Sequence, residues 1–460
     1  MTRKYIEDMK ENKDIDGLVE LAEDGDSKER AEAVKALGLI ADSDVLSVLV
    51  KRLDDEEKTV RANAVIAISH INGEHVKEKM IDMIGDDAWE VRHDTAIAMG
   101  EMKDEEFIEP LKDLVEDEEL EVKQKAIEAL GEIGDNEVIP FLESYMDDIE
   151  LEEDIAKAIS NIGTEEALEP LTEMFKEGDR WVRETAVQGL SKIESSEATK
   201  VLLEGLKDSS WRVKEDSALA LGNKGDKDAV KPLLQLLEDD KKYVVEAALK
   251  SLGKLGDEDI IEKVSHKLDD DDPSIRSATA YTLGEVNTER SLNLITQHID
   301  FEENPRVLWS ISEAVSKFRK EELENIENKV KRYDGHKKII LSVALGKAGF
   351  SSMSPTILDY IDDDRWKIRQ KVIEALKQID VDDLSKTQTE KAFRKLTERI
   401  EDNDKWVRTQ AVLTLGNYIF DVSDDIETED AKEALIQRMK VESDEDVSEA
   451  FKEIKYLLGL

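Results

Sequence analysis

Apolar residues recur along this chain in a pattern that repeats about every 31 residues. The clearest stretch reads Val-Arg-x-x-Ala-x-x-Ala-Leu-Gly. It begins at Val60, Val91 and Val122, continues at Leu151, Val182, Val213, Val244 and Ile275, and returns at Ile368 and Val407. Weaker copies begin at Glu29, Val307, Lys337 and Val447. Most steps are 31 residues, as from Val60 to Val91 or from Val213 to Val244; the step from Val122 to Leu151 is 29 and that from Ile368 to Val407 is 39. In the unit that begins at Val182, the first, fifth, eighth, ninth and twelfth positions are Val182, Ala186, Gly189, Leu190 and Ile193. At about 100° per residue these fall on one face of a helix. The sixth position is also apolar or small (Val34, Ile127, Val187, Leu249), which widens the stripe for packing on a partner helix and on the next repeat. A second helical pattern precedes each motif, as in Asp228 through Leu237. Each unit therefore reads as a helix pair, and the chain as about fourteen such pairs.

Turn residues fall where this reading needs them. Gly134-Asp135, Gly225-Asp226 and Gly256-Asp257 close one helix and open the next: Gly tolerates the left-handed conformation after a helix end, and Asp caps the following N-terminus. Pro110, Pro140, Pro170, Pro232 and Pro355 lie near the start of the first helix, where first-turn N–H groups have no intrahelical partner. The tenth motif position is Gly or Ser (Gly100, Gly131, Ser160, Ser191, Gly222, Gly253, Gly284), which fits close helix approach. With 460 residues and no Pro/Gly/Ser-rich linker, one repeat array is expected rather than several separate cores. Residues 1–23 would form an N-terminal capping helix and 421–460 a C-terminal cap. Residues 300–350 are degenerate and locally basic, and 381–390 would be a longer connection.

The motif core resembles the HEAT-like repeats named for phycobilin lyase subunits, over nearly the whole chain. The resemblance implies an all-α fold, an α-solenoid (superhelix) whose second helices line the concave face. It also implies a structural ladder. Its basic members would be the second-position Arg61, Arg92, Lys123, Arg183, Lys214, Arg276, Arg369 and Arg408. Its acidic members would be Asp55, Asp86, Asp117, Asp208, Asp270, Asp363 and Asp402, each six residues before a basic one. For function the resemblance is weak, because such folds carry many unrelated tasks.

Charge and composition narrow the choice. There are 110 acidic against 65 basic residues, a formal charge of −45, which opposes nucleic acid and anionic membranes. The acidity fits either salt adaptation or a basic partner, although Lys241-Lys242 and Lys337-Lys338 are unlike a Lys-poor halophilic surface. The chain has no Cys, which excludes disulfides, thiolate metal sites and Cys nucleophiles. The opening MTRKYIEDMKENKDIDG is too charged for a signal peptide, and no apolar run is long enough to span a bilayer. A soluble cytoplasmic monomer is expected.

Candidate chemistry is sparse. A related helical-repeat enzyme, deoxyhypusine hydroxylase, binds iron through His-Glu pairs, but none of the six His here precedes Glu, and His93-Asp94 stands alone. DNA glycosylases of the HEAT-like type need a basic groove, whereas the third and fourth motif positions here carry an acidic ridge: Asp94, Glu153, Asp154, Glu184, Glu215, Asp216 and Glu246. That ridge is either solvated or a dock for a basic partner. Trp89, Trp181, Trp211, Trp366 and Trp406 precede the first motif position by one or two residues and are expected to pack against a neighbouring repeat. In residues 300–350, Lys317, Arg319, Lys320, Lys329, Lys331, Arg332, Lys337, Lys338 and Lys347 invert the local charge; pairing with acids elsewhere in the array is the simpler account. The third and seventh motif positions should point away from the core. In repeats nine to eleven they include Tyr281, Trp309, Ile339 and Val343, so an exposed partner-binding patch is expected there, with Lys337 and Lys338 on its rim.

These readings converge on a non-catalytic scaffold or adaptor that binds a protein along the concave face, with no catalytic residue, metal or cofactor. The alternative is an auxiliary subunit of a bilin-lyase-type modifying enzyme. A metal-dependent hydroxylase ranks below both.

Overall fold

The computed structural model describes residues 2–40, 43–71, 74–256, 258–422 and 426–459. It is an all-α solenoid in which every described regular element is helical. After an N-terminal helix, Thr2–Glu11, fourteen helix pairs follow. The second helices of these pairs run Ser27–Ile40, Lys58–Ser69, Trp89–Met102, Leu120–Ile133, Glu152–Ile162, Arg180–Lys192, Trp211–Lys224, Lys242–Leu255, Pro273–Val286, Pro305–Val315, Gly335–Lys347, Trp366–Lys377, Lys405–Asp421 and Glu445–Leu458. Repeats are numbered one to fourteen by these helices. Packing groups residues 1–224, with repeats one to seven, into one compact unit, and residues 225–460, with repeats eight to fourteen, into another.

Within each of these units, neighbouring second helices pack on one another and on the first helices of their own repeats. The motif supplies the contact. Val91, Ala96, Met99 and Gly100 are buried in repeat three, as are Val122, Ala126, Leu130 and Gly131 in repeat four. The Ala and Gly of the motif meet each other across repeats. A Cβ on Gly38 would lie 2.6 Å from Ala67, on Gly131 2.6 Å from Ala158, and on Gly284 2.6 Å from Ala314. Real Cβ atoms do not approach so closely, so the tenth position is small because the eighth position of the next repeat rests on it.

The connections behave as the turn residues imply. Gly134 ends its helix at φ 79°, and Asp135 accepts from the Glu137 N–H. Gly225 (φ 73°) and Asp226 repeat the device, while Asp257 lies outside the described residues. The 39-residue step arises only in part from the longer connection expected at 381–390. Most of 381–390 is helical: a short 3-10 turn, Val381–Asp383, leads into the first helix of repeat thirteen, Lys386–Arg399. At 14 residues this helix is longer than the 10-residue Leu168–Glu177 of repeat six. The helix is 4 residues longer, so half of the 8 extra residues lie in it and the rest in the short segments that flank it.

Candidate functional site

The ladder is built over much of its length, and its rungs run between repeats; Asp363 pairs instead with Arg365 of its own repeat. Arg61 donates from Nε and one terminal nitrogen to Asp86 at 2.7 and 2.8 Å, and from the other to the Asp55 carbonyl at 2.9 Å. Arg92 repeats this with Asp117 and the Asp86 carbonyl, and Arg369 with Asp402 and the Asp363 carbonyl. The planar fork of Arg matches the carboxylate at two points. Each ladder Asp also accepts a backbone N–H two residues on, as Asp86 does from Ala88. Burial pushes these carboxyls up, but the Arg and backbone hydrogen bonds outweigh it, and Asp55, Asp86, Asp117, Asp208 and Asp402 stay below their ordinary values. Three members escaped the sequence reading. Arg30 pairs with Asp55 behind an atypical Glu29 in the first slot, and Glu replaces Asp at Arg276–Glu302 and Arg408–Glu442. The slot is Glu152 in repeat five, Val245 in eight, Leu308 in ten and Lys338 in eleven.

Because the ladder uses its charges internally, binding chemistry must come from other positions on the second helices. Of the expected patch, Tyr281 and Trp309 are half-buried. A Lys317 ammonium lies 4.8 Å from the Tyr281 ring centre, and a Lys371 ammonium 5.0 Å from that of Trp309. Burial, then a hydrogen bond to Glu285, pushes the Tyr281 hydroxyl up to about 12. Ile339 and Val343 depart from expectation, being 4% and 1% exposed. The helix that carries them is apolar on nearly every side, from Ile339 to Gly346. Lys371 of repeat twelve reaches Glu313 of repeat ten at 3.5 Å, so the helices on either side close over repeat eleven. Lys337 is buried as well and donates to Glu303 at 2.7 Å, which leaves it unavailable to a partner. Lys338 is half-buried.

The surrounding basic run is largely neutralised by acids of neighbouring repeats or of its own repeat. Lys329 pairs with Asp300, Lys331 with Glu327, Lys347 with Glu374, Lys317 with Glu285 and Arg319 with Glu322.

The acidic ridge is not one exposed strip. Glu153 is exposed and paired with Lys157 at 2.8 Å. Glu184 is buried, held by Arg180 Nε at 2.9 Å and the Ser210 hydroxyl at 3.0 Å. Asp94 meets His93 at 2.9 Å and Glu246 meets Lys250 at 3.9 Å, both half-buried. Glu215 is half-buried. Burial raises the carboxyls of Asp154 and Asp216, so both are costly to keep charged. Four of the five Trp residues reverse the expectation of packing: Trp89, Trp181, Trp366 and Trp406 are 36 to 51% exposed, while Trp211 is half-buried. Each sits in the first turn of its helix, where a neighbouring Arg or Lys often covers a ring face, as Arg180 does over Trp181 at 4.8 Å.

One cleft on the second-helix face in residues 225–460 crosses repeats eight to ten. A cleft of about 190 Å³ is lined there by Glu246, Lys250, Ser277, Tyr281, Arg306 and Glu313, among others. Among the described residues no group of three or more His, Asp or Glu is arranged to hold a metal, and no helix is long and apolar enough to cross a membrane.

Stacked helix pairs with an Arg–carboxylate ladder define a class of tandem helical repeats. The family model for HEAT repeats matches residues 15–99, 78–153, 147–221, 199–266, 338–416 and 355–454, and the chain belongs to that family. Similar solved structures share the fold at low sequence identity. Yeast importin-beta (Kap95p) is 13% identical, with 96% of this chain and 71% of that one covered at a TM-score of 0.64. Kap121p bound to Pho4p is 12% identical, over 96% and 60%, at 0.61. The Kap95:Nup1 complex is 11% identical, over 94% and 75%, at 0.56. A comparison with curated protein sequences finds no match.

Proposed function

We propose that this protein is a non-catalytic scaffold that binds a protein partner along its second-helix face. The observation that carries this is the pair Tyr281 and Trp309, half-exposed beside a cleft on a face whose ladder charges are already spent. Large aromatic side chains at a half-open position gain most from being covered, and they dominate the energetics of many interfaces. Two of the similar structures are complexes with another protein, Kap95 with Nup1 and Kap121p with Pho4p, which supports the same use of the fold. On this reading the protein works as a cytoplasmic monomer, and its charge of −45 disfavours nucleic acid and anionic membranes.

Trp309→Ala tests the proposal. Native extract passed over immobilised wild-type and variant protein should show one partner held at least about tenfold less by the variant, a loss of about 1.4 kcal/mol. Equal recovery on a variant shown folded by circular dichroism rejects the reading. The second reading, an auxiliary subunit of a bilin-lyase-type enzyme, rests on the repeat sequence alone. An absorbance shift of a free bilin on titration with the protein would favour it.

A further inference from the structure

We propose that the cleft across repeats eight to ten receives an extended segment of a partner protein that carries a carboxylate side chain. This rests on the scaffold reading and specifies where that scaffold binds and what it recognises.

The cleft follows from side-chain size. At the third and fourth motif positions, repeat nine has Ser277 and Ala278 where the third positions of its neighbours have Glu246 and Trp309. Small groups form the floor, and longer ones on the Lys242–Leu255 and Pro305–Val315 helices form the walls. The trough therefore crosses the helices, which suits an extended chain better than a helix or a compact small molecule.

Two groups in it lack partners. Ser277 is 8% exposed, and its hydroxyl is cut off from water with no hydrogen bond. Buried polar groups are nearly always paired, because leaving one unpaired costs free energy. Ser277 lines the open cleft, so a turn of its side chain to another staggered rotamer would bring the hydroxyl to a main-chain group of a segment lying above it. Arg306 is the second. Its N–H donates to Asn304 at 2.9 Å and its carbonyl accepts from Ser310 at 3.4 Å, but among the described residues no carboxylate meets its guanidinium.

That vacancy fixes the sign of the ligand. The two acids of the cleft are engaged, Glu246 with Lys250 at 3.9 Å and Glu313 with Lys371 at 3.5 Å. Arg306 is left as the unmet charge, in a chain with 45 more acidic than basic residues. An exposed guanidinium offers a carboxylate two parallel hydrogen bonds. A lysine-rich segment would find no free acid here and would face Arg306.

Fluorescein-labelled 12-residue peptides, alternating Gly with Glu, Lys or Ser, test this by anisotropy with the full chain at about 0.15 M salt, which screens the overall charge of the chain. The Glu peptide should bind most tightly. Arg306→Ala should weaken it about tenfold and Ser277→Val several-fold. Ser277→Val should leave the melting temperature unchanged or higher, because it removes an unpaired buried hydroxyl without opening a cavity. Tightest binding by the Lys peptide, no binding by any peptide, or Glu-peptide affinity unaffected by both variants each overturns the proposal. If the Trp309→Ala capture experiment succeeds while these fail, the scaffold reading stands and only the assignment of this cleft falls.

Discussion

The second helices of repeats three and eleven fill the same motif slots with opposite results. In Trp89–Met102 the second slot is Arg92, tied to Asp117, and the third and fourth, His93 and Asp94, are half-exposed. In Gly335–Lys347 the same slots are Lys338, Ile339 and Ile340, and nearly every residue from Ile339 to Gly346 is buried. A motif slot assigns a face by analogy with sister repeats. The helix's own composition overrules it when apolar residues occur all round, because such a helix is stable only when covered all round. Repeat eleven is covered by its neighbours, whose Trp309, Glu313 and Lys371 converge above it.

The largest effect should come from treating slot seven as if it were exposed in both kinds of repeat. Val343→Asp would bury an unpaired charge and should cost more than about 4 kcal/mol, or prevent folding of residues 225–460. Gln188→Ala, at the exposed slot seven of repeat six, should change stability by no more than about 0.5 kcal/mol. Urea melts of the two variants compare them directly. A Val343→Asp protein as stable as Gln188→Ala would mean that the closure over repeat eleven does not form.

Next in size is the loss of a rung. The Arg92 and Asp117 side chains are 16% and 7% exposed, so Arg92→Ala would leave a carboxylate nearly buried and a loop carbonyl unpaired. The expected cost is about 3 kcal/mol. Arg92→Lys should recover only part, since an ammonium cannot span both carboxylate oxygens and the Asp86 carbonyl. Equal melts for Lys and Arg would show that charge, rather than the fork, holds the ladder.

The same rungs set the response to acid. The ladder carboxyls lie below their ordinary values in the folded state, so their stabilisation is complete above the unfolded value, about pH 4, and disappears as pH falls through the lower folded one. Asp154 and Asp216 are shifted the other way by burial and oppose the trend, because the folded state binds their protons more readily. With the ladder in the majority, the melting temperature should fall below about pH 4. In Arg92→Ala the fall should be shallower, since Asp117 then loses its Arg partner. An equally steep fall in both proteins would place the acid sensitivity outside the ladder.

The repeat period made the fold legible, because a small residue must recur wherever one second helix rests on the next. The ladder's residue types were legible too, but not its direction. A six-residue spacing points to a pair inside one repeat, whereas the Arg fork reaches the carboxylate 25 residues on and only one nitrogen turns back to the nearer carbonyl. Tyr281 and Trp309 were legible as departures from a polar consensus. Ser277 and Arg306 were not, since a missing hydrogen-bond partner is a property of the folded surroundings. The exposed Trp residues misled because position before an apolar slot looks like core, yet a first-turn residue can lie over the polar groups of the loop.

The smallest expected effect concerns a rung that is absent. In repeat five the basic slot is Glu152, and 25 residues on, where the filled rungs place an Asp, stands Glu177. Both line a cleft of about 370 Å³ with Glu143, Asp147 and Glu173, and no Lys or Arg lines it. Burial, then Glu169 and Glu173, push the Glu143 carboxyl up, so the local charge is uncompensated. Glu152→Arg should remove one repelling carboxylate and supply the missing fork. Because Glu177 is exposed, the gain should be that of an exposed pair, about 0.5–1 kcal/mol, or about 2 °C in the midpoint of residues 1–224. Glu152→Gln should give a smaller rise, since it relieves repulsion without bridging. If Gln and Arg are equivalent, repulsion alone marks this break. If neither raises the midpoint, the acids around Glu152 are already relaxed by solvent, and repeat five differs from repeat three in sequence but not in energy.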